Sequence, residues 1–438
     1  MAATMNEEPH SLSADVVVVG AGPAGMTAAI AARTGAGVAL CEQLDRPGVK
    51  LLATGGGRCN LTNTVEPATF MARFGRSGRF LQPALAALDS RGLRDFFAGL
   101  GVPTRCEDGL HVYPASNSAA TVQKALWQRC RDLRVELLLD TPVRSLWLEG
   151  GELKGVVAPR GQISATRVIL AGGGRSYPAL GGTGGCYELA RQAGHEIVPP
   201  TPALVPLIAR EKWSARCAGV SATARVWIDL PGQARAGRTG PVLFTHTGLS
   251  GPAALDLSGD VARLLAKRKD VPLRLDFLTG AAQANGPAVF PLEHWRNAHG
   301  RKHIVTILAP LVPRSLAEAI CALAEVDPDA PVAGVSSGAE RKLSDLLRRL
   351  PLTVVATEGL DRAMVTRGGV GLRQVDPHSL QSRLVKGLFF AGELLDLDGP
   401  CGGYNLQWAF SSGFLAGKSA AARYTKKTEP QRSQRAQT

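Results

Sequence analysis

The sequence predicts an α/β fold: a discontinuous Rossmann-type dinucleotide domain interrupted by an insert with a β-rich and a helical part. Three observations predict it. A glycine turn, Gly20-Ala21-Gly22-Pro23-Ala24-Gly25, joins an apolar strand to an Ala-rich helix. The strand that follows ends in an acid, Glu42. A proline cluster (Pro199, Pro200, Pro202, Pro206) then breaks the pattern, which is typical of a domain crossing.

The elements follow in order. Asp15–Val19 is a continuous β-branched run, the kind buried on both faces of a parallel sheet. Gly25–Thr34 is helical and is stopped by Gly35–Gly37, and Val38–Glu42 completes a βαβ unit. Pro47–Asn63 is a glycine-rich loop without periodicity. Leu81–Leu100 and Ala119–Arg131 read as helices, and Leu110–Pro114 as a short strand or loop. Val135–Leu139, Val143–Leu148, Gly155–Val157 and Arg167–Ala171 read as strands, and Gly185–Gly194 as a helix. Within the insert, Ala222–Leu230 and Val271–Phe277 read as strands, and Val261–Lys267, Ser315–Glu325 and Ala339–Leu350 as helices. Leu388–Ala391 is a strand and Trp408–Arg423 a small-residue helix. The expected domains are 1–197 and 355–417 for the dinucleotide domain, 198–354 for the insert, and 418–438 for a basic tail without fixed structure.

Composition narrows the function classes. Hydrophobic residues at 45% and charged residues at 20% describe a globular chain, not a disordered, collagenous or disulfide-framed one. Val16–Ala32 carries no charge, but Gly20, Gly22, Pro23 and Gly25 interrupt it, so strand, turn and helix fit better than a membrane span. The first fourteen residues hold Glu7 and Glu8 and no basic segment, so a cytoplasmic protein without a membrane partner is expected. The eight cysteines include no C-x-x-C pair, and His294, His299 and His303 lie in a polar, basic stretch without a supporting carboxylate pattern, so no metal site is expected. The net charge is +13, of which residues 198–354 contribute +6 and residues 418–438 +5. Such a distribution is either solvated surface or a face for a polyanion such as RNA; no DNA partner is expected.

The glycine turn carries the clearest chemistry. Gly20 permits the tight turn, Gly22 the approach of a pyrophosphate, and Gly25 close packing of helix on strand. Ala21, Ala24 and Gly25 lie at the helix start, where backbone N–H groups hold phosphate. Glu42, twenty residues after Gly22, is placed to bind ribose hydroxyls. Three further segments fall where a flavoprotein of the glutathione-reductase type returns to its FAD. They are Ala53-Thr54-Gly55-Gly56-Gly57-Arg58-Cys59-Asn60-Leu61-Thr62-Asn63, Val168–Gly174 with Ala171 and Gly172, and Gly387–Glu393 followed by Gly402-Gly403-Tyr404-Asn405-Leu406-Gln407.

Together these segments resemble the bacterial flavoprotein family of the YhiN and BaiN type, also called aminoacetone-oxidase-like. Tyr177-Pro178, the stretch Thr245–Pro252 and Gly369-Val370 belong to the same resemblance, which runs from Asp15 to Gly417. It implies FAD and hydride transfer through flavin N5. Glu393 and Gly392 would meet the ribityl chain, and the N–H groups of Gly403, Tyr404, Asn405 and Leu406 the flavin N1–C2=O edge. Gly55–Gly57 would wrap the ring, with Gly57, Arg58, Cys59 and Asn60 among the cofactor-binding residues and Arg58 at the pyrophosphate or flavin edge, or else in a surface ion pair. Val143 would lie on a strand passing the adenine.

Tyr404, Cys401 and His246 are the candidate catalytic groups, each with a packing or turn role as the alternative; Cys59 is weighed similarly as a proton donor. No second dinucleotide fingerprint follows Gly172-Gly173-Gly174, so NAD(P)H would visit as a transient reductant, or the substrate itself supplies electrons. The resemblance implies reduction of a uracil in ribosomal RNA, reduction of an enone or oxidation of a small amine, with a non-catalytic flavin-binding role as a further alternative. Val49, Thr54, Cys401 and the basic tail depart from the YhiN pattern and leave the substrate class open.

Overall fold

The computed structural model describes residues 12–233, 237–278 and 300–422. The chain divides into two compact units, residues 1–200 with 365–438, and residues 201–364.

The first unit is built on a five-stranded parallel sheet in the order Leu388–Phe390, Arg167–Leu170, Val16–Val19, Val38–Cys41, Glu136–Leu138. Val16, Val17 and Val18 are fully buried, as the unbroken valine run requires of a central strand covered on both faces. The helix Pro23–Ala32 packs against the last helix, Tyr404–Ala421. The glycines explain how closely. A Cβ on Gly413 would stand 2.2 Å from the Ala24 carbonyl oxygen, and one on Gly417 2.3 Å from that of Ala28. Positions four apart share a helix face, so two glycines meet two alanines, backbone to backbone.

Two smaller sheets complete this unit. Ser145–Glu149, Glu152–Ala158 and Gly161–Ser164 form an antiparallel meander joined by Leu12–Ser13. Thr62–Asn63, His111–Pro114 and Thr104–Arg105 form a short three-stranded sheet.

The second unit holds a closed six-stranded barrel, ordered Leu207–Ala209, Gly248–Ser250, Arg238–Phe244, Ser221–Ile228, Val271–Asp276, Leu350–Thr357. Helices Pro252–Leu265, Ile304–Leu308, Arg314–Ala324 and Ser337–Arg349 supply its helical part. Phe244 and Phe277, both fully buried, lie in its core.

Several boundaries differ from the sequence reading for identifiable reasons. Leu350–Thr357 pairs with both Val271–Asp276 and Leu207–Ala209, closing the barrel, so the second unit extends past 354 to Met364. Leu81–Leu100 is two helices, Gln82–Ala87 and Ser90–Gly99. Asp89 breaks the run because its side chain accepts the Gly92 N–H at 2.7 Å as a cap. Val143 is not in a strand: the chain turns at Asp140 (φ 49°), and the next strand starts only at Ser145. The first insert helix begins at Pro252, nine residues before the expected Val261, with proline in its first turn.

Candidate active site

The dinucleotide turn is held by backbone contacts that only glycine allows. Gly20 has φ 101°, and a Cβ there would lie 2.8 Å from the Ala171 carbonyl oxygen and the Gly172 Cα. A Cβ on Gly25 would stand 1.8 Å from the Gly20 carbonyl oxygen. Gly22 differs. A Cβ there would meet nothing within 4 Å, and no side chain caps the helix that Gly22 starts. An open space therefore adjoins helix N–H groups that lack a side-chain acceptor, which suits a pyrophosphate.

Glu42 sits beside this turn. Its Oε2 accepts the Ala21 N–H at 2.7 Å and its Oε1 the Leu44 N–H at 3.1 Å. Burial pushes its pKa above the usual carboxylate range, opposed by the Leu44 and Ala21 N–H groups. Gly172 approaches Cys186 so closely that a Cβ would lie 2.4 Å from Sγ.

Glu393 is the centre of a charged cluster. Its Oε2 lies 2.8 Å from Lys50 Nζ, while its Oε1 accepts the Ser176 hydroxyl at 2.8 Å and the Thr366 N–H at 2.9 Å. Lys50 also donates to Ser176 Oγ at 2.5 Å. Burial alone would raise this carboxyl, but the Lys50 ammonium, with Ser176 and Thr366, holds it below its usual range. Gly174 is glycine for the same cluster, since a Cβ there would stand 2.4 Å from Thr366 Oγ1 and 2.5 Å from Glu393 Oε1. Neighbouring Gly392 is fixed by Ser412, whose Oγ accepts its N–H, and by Trp408, whose indole donates to its carbonyl.

The loop from Thr54 to Asn63 meets the start of the last helix. Gly55, Gly56 and Gly57 all have left-handed φ (57°, 65°, 85°), and Cys59 shares that region at 62°. Asn63 Nδ2 donates to the Gly402 carbonyl at 2.8 Å. The Asn60 amide, with its nitrogen toward the Thr62 and Val112 carbonyls, accepts the Gly403 N–H at 3.2 Å. Cβ atoms on Gly403 and Gly402 would stand 2.6 Å from the Thr62 carbonyl carbon and 3.2 Å from His111 Nε2. The space those two glycines leave is thus filled by protein. Asn405 braces the preceding loop, accepting from Gly399 N at 2.8 Å and donating to Gly399 O at 2.9 Å, and Leu406 is half-buried.

The candidate proton donors fare unequally. Cys59 is fully buried and its thiol is pushed up to about 12 by burial, which unsuits it for releasing a proton. The Tyr404 ring is buried against Phe70 and Phe74, with centroids 4.7 and 6.2 Å away, so packing occupies it. Cys401 is half-buried beside Gly402. Arg58 is exposed and lies over the Tyr113 ring at 5.0 Å, in neither an ion pair nor a buried anion site among the described residues. Val143 is half-buried in the segment before Ser145.

His246, in the second unit, is exposed at the tip of a turn in which the Thr245 N–H donates to the Gly248 carbonyl. His303 is near Asp329 (3.6 Å) on the surface, and no group of three metal-ligating side chains occurs among the described residues. His294, His299 and the tail from Arg423 lie outside the described residues.

Sequence reasoning missed Lys50, Ser176 and Thr366, and also a dyad beside Gly402. Asp108 Oδ2 lies 2.5 Å from His111 Nδ1, and Asp108 Oδ1 accepts the N–H groups of Leu110 (2.9 Å) and His111 (2.7 Å). The His111 hydrogen bond, reinforced by these N–H groups, holds the Asp108 carboxyl well below its usual range.

Comparison with known proteins bears on the family and the fold. A sequence profile described as the HI0933-like protein Rossmann domain matches residues 14–419. The chain is 36% identical to a 3-dehydro-bile acid Δ(4,6)-reductase of Clostridium scindens, over 93% of this chain and 98% of that protein. It is 30% identical to ribosomal RNA dihydrouridine synthases of Haemophilus influenzae and Escherichia coli, over 92% and 93% of this chain and 97% and 98% of theirs. Among solved structures, a 3-ketosteroid Δ1-dehydrogenase from Sterolibacterium denitrificans matches with a TM-score of 0.53 at 15% identity, covering 94% of this chain and 100% of that one. That likeness concerns the fold. No helix among the described residues is long and apolar enough to cross a membrane.

Proposed function

Because the chain belongs to the HI0933-like Rossmann family, a family of flavin-dependent oxidoreductases, we propose that it reduces a carbon–carbon double bond conjugated to a carbonyl in a small enone acid. FAD is the cofactor, and when bound it supplies the hydride. The observation that carries the reading is the joining, in one unit, of the open helix start at Gly22, the partly buried Glu393 cluster and the Gly402–Gly403 helix start. Gly20 to Gly25 and Glu42 would hold the pyrophosphate and ribose, and Glu393 would face the ribityl chain. The N-terminus of the Tyr404–Ala421 helix would stabilise negative charge at the flavin edge. NAD(P)H would act as a transient reductant, since the sequence holds no second dinucleotide fingerprint.

Identity across nearly the full length of the bile acid reductase supports the small-acid substrate. Several basic residues of the insert are engaged in ion pairs within it, which leave its net charge of +6 unchanged. Arg274 pairs with Asp229 at 2.7 Å, Arg225 with Asp276 at 3.2 Å, Arg263 with Asp260 at 3.2 Å, and Lys342 with Glu325 at 3.0 Å. One observation favours a second reading, a uracil of ribosomal RNA, whose C5=C6 bond is likewise conjugated to a carbonyl. Lys267, Arg268 and Lys269 form an exposed basic run.

The test is anaerobic. The FAD-loaded protein is reduced and mixed with a 3-oxo-Δ4,6 bile acid, and reoxidation of the flavin is followed by absorbance. In parallel, dihydrouridine is measured in ribosomal RNA from a strain lacking the gene. Reoxidation by the acid with unchanged dihydrouridine supports the first reading. Loss of dihydrouridine with an inert acid replaces it by the second.

A further inference from the structure

Resting on the reading above, we propose that His111, held by Asp108, is the general acid that protonates the substrate. The imidazole is fixed from one side only. Nδ1 is engaged by Asp108 Oδ2, and Asp108 is itself fixed by the Leu110 and His111 N–H groups. That carboxylate keeps a proton on Nδ1 and leaves Nε2 as the atom that exchanges protons, so the acid is the imidazolium form, which carries its second proton on Nε2. Nε2 has no hydrogen-bond partner among the described residues, and the ring is about one-third exposed, so it is open to a ligand and to solvent.

Its place in the fold ties it to the flavin segments. His111 opens the strand His111–Pro114, paired with Thr62–Asn63 at the end of the glycine loop, with Asn63 opposite His111. Asn63 in turn donates to the Gly402 carbonyl. Nε2 then lies 3.2 Å from where a Cβ on Gly402 would sit, one residue before the cap of the last helix. Gly402, at φ 107°, is glycine in part to leave that space to the ring. Two other candidates near this point are less suited, Cys59 being buried with its thiol pushed up to about 12 and Tyr404 packed against Phe70, while Cys401 is half-buried beside Gly402.

The step balances. The β-carbon of the enone would gain the hydride that bound, reduced FAD supplies, with the loss of two electrons from the flavin. The α-carbon gains the proton that the imidazolium carries on His111 Nε2, the ring is left neutral with Nδ1–H toward Asp108, and C=C becomes CH–CH. The imidazole regains its proton from solvent, and a nicotinamide hydride donor restores the reduced flavin. Asp108 acts as a positioning residue by keeping Nε2 aimed.

The test uses the full-length FAD-loaded protein, reduced with dithionite and mixed anaerobically with a 3-oxo-Δ4,6 bile acid. His111→Asn is expected to slow flavin reoxidation by about 10²- to 10⁴-fold, the usual worth of a general acid. FAD affinity and reduction by NADPH should stay at the wild-type level. Added imidazole should restore part of the rate. Asp108→Asn should give a smaller loss, and nitrogen NMR should show the His111 tautomer shifted in that variant even without cofactor. A His111→Asn protein that is reoxidised as fast as wild type, or an unchanged tautomer in Asp108→Asn, overturns the proposal and leaves the proposed function standing. Wild-type reduced protein that neither the bile acid nor ribosomal RNA reoxidises sinks both.

Discussion

Replacing Lys50 by methionine isolates the cluster around Glu393. The pair is about three-quarters buried, with side chains 25% and 21% exposed and 2.8 Å between Nζ and Oε2. Breaking a fully buried pair costs about 3–5 kcal/mol and an exposed one about 0–1 kcal/mol, so Lys50→Met should cost about 2 kcal/mol at pH 7. The pH dependence identifies the cause. In the wild type the folded Glu393 titrates below its unfolded value of about 4.3, so its contribution is fully present above that pH and is lost as pH falls through the lower folded value. Without the ammonium, burial is opposed only by Ser176 and Thr366, and the folded carboxyl moves upward. The variant should then gain on the wild type as the pH falls toward 4. Chemical denaturation at pH 7, 5.5 and 4 measures this. Glu393→Gln in the same chain should recover most of the loss, because an uncharged amide still accepts from Ser176 and Thr366 N. A deficit that is constant across pH, or a double variant no better than Lys50→Met, would refute the reasoning.

The remaining predictions use other parts of the same unit. His195 is 3% exposed, its Nε2 is 2.7 Å from Ser382 Oγ, and burial pushes it down to about 4. The unfolded chain therefore takes up a proton below about 6.5 that the folded chain refuses until about 4. Up to about 3 kcal/mol should be lost between those pH values, and His195→Gln should flatten that slope in urea titrations. Gly22→Ala should leave apo stability unchanged, since its Cβ meets nothing, yet weaken FAD binding at least about tenfold by calorimetry. Gly25→Ala, with its Cβ 1.8 Å from a carbonyl oxygen, should destabilise the apo protein itself; equal melting temperatures for the two variants would contradict the assignment. Cys59 should resist maleimide at pH 8 in the folded protein while half-buried Cys106 is labelled, as peptide mass spectrometry would show.

What was legible in the sequence follows the range of the forces involved. Gly20–Gly25 could be read because Gly20 and Gly25 answer to contacts within a few residues or on the neighbouring strand, and a strand–turn–helix is a local pattern. The Leu81–Leu100 break was also local, since Asp89 before Ser90 is a helix-capping signal that the apolar periodicity masked. Lys50 was not legible. Its partner Glu393 lies 343 positions away, and nothing in the composition around Lys50 marks it. The end of the insert failed for the same reason: Leu350–Thr357 reads as a neutral apolar strand until its pairing with Leu207–Ala209 is known.

Gly402 and Gly403 both have positive φ, at 107° and 85°, which glycine adopts without strain. Their missing Cβ atoms, however, make room for His111 and for the Thr62 backbone. The glycines thus bring the loop 54–63 and the strand His111–Pro114 onto the start of the last helix, and with them an Asp–His pair spaced only three residues apart. Such a pair on a surface loop would mean little by itself. It gains meaning because Asn63 and Gly402 bring its open nitrogen to the helix terminus that the proposed function assigns to the flavin edge. Gly402→Ala therefore disturbs two things together: its Cβ crowds Nε2 at 3.2 Å, and φ 107° strains any residue but glycine. A His111→Ala change in the Gly402→Ala background separates them, because it removes the crowding and leaves the strain. If the double variant regains stability over Gly402→Ala alone, the ring is what the glycine accommodates. If it does not, backbone strain is the whole reason for Gly402.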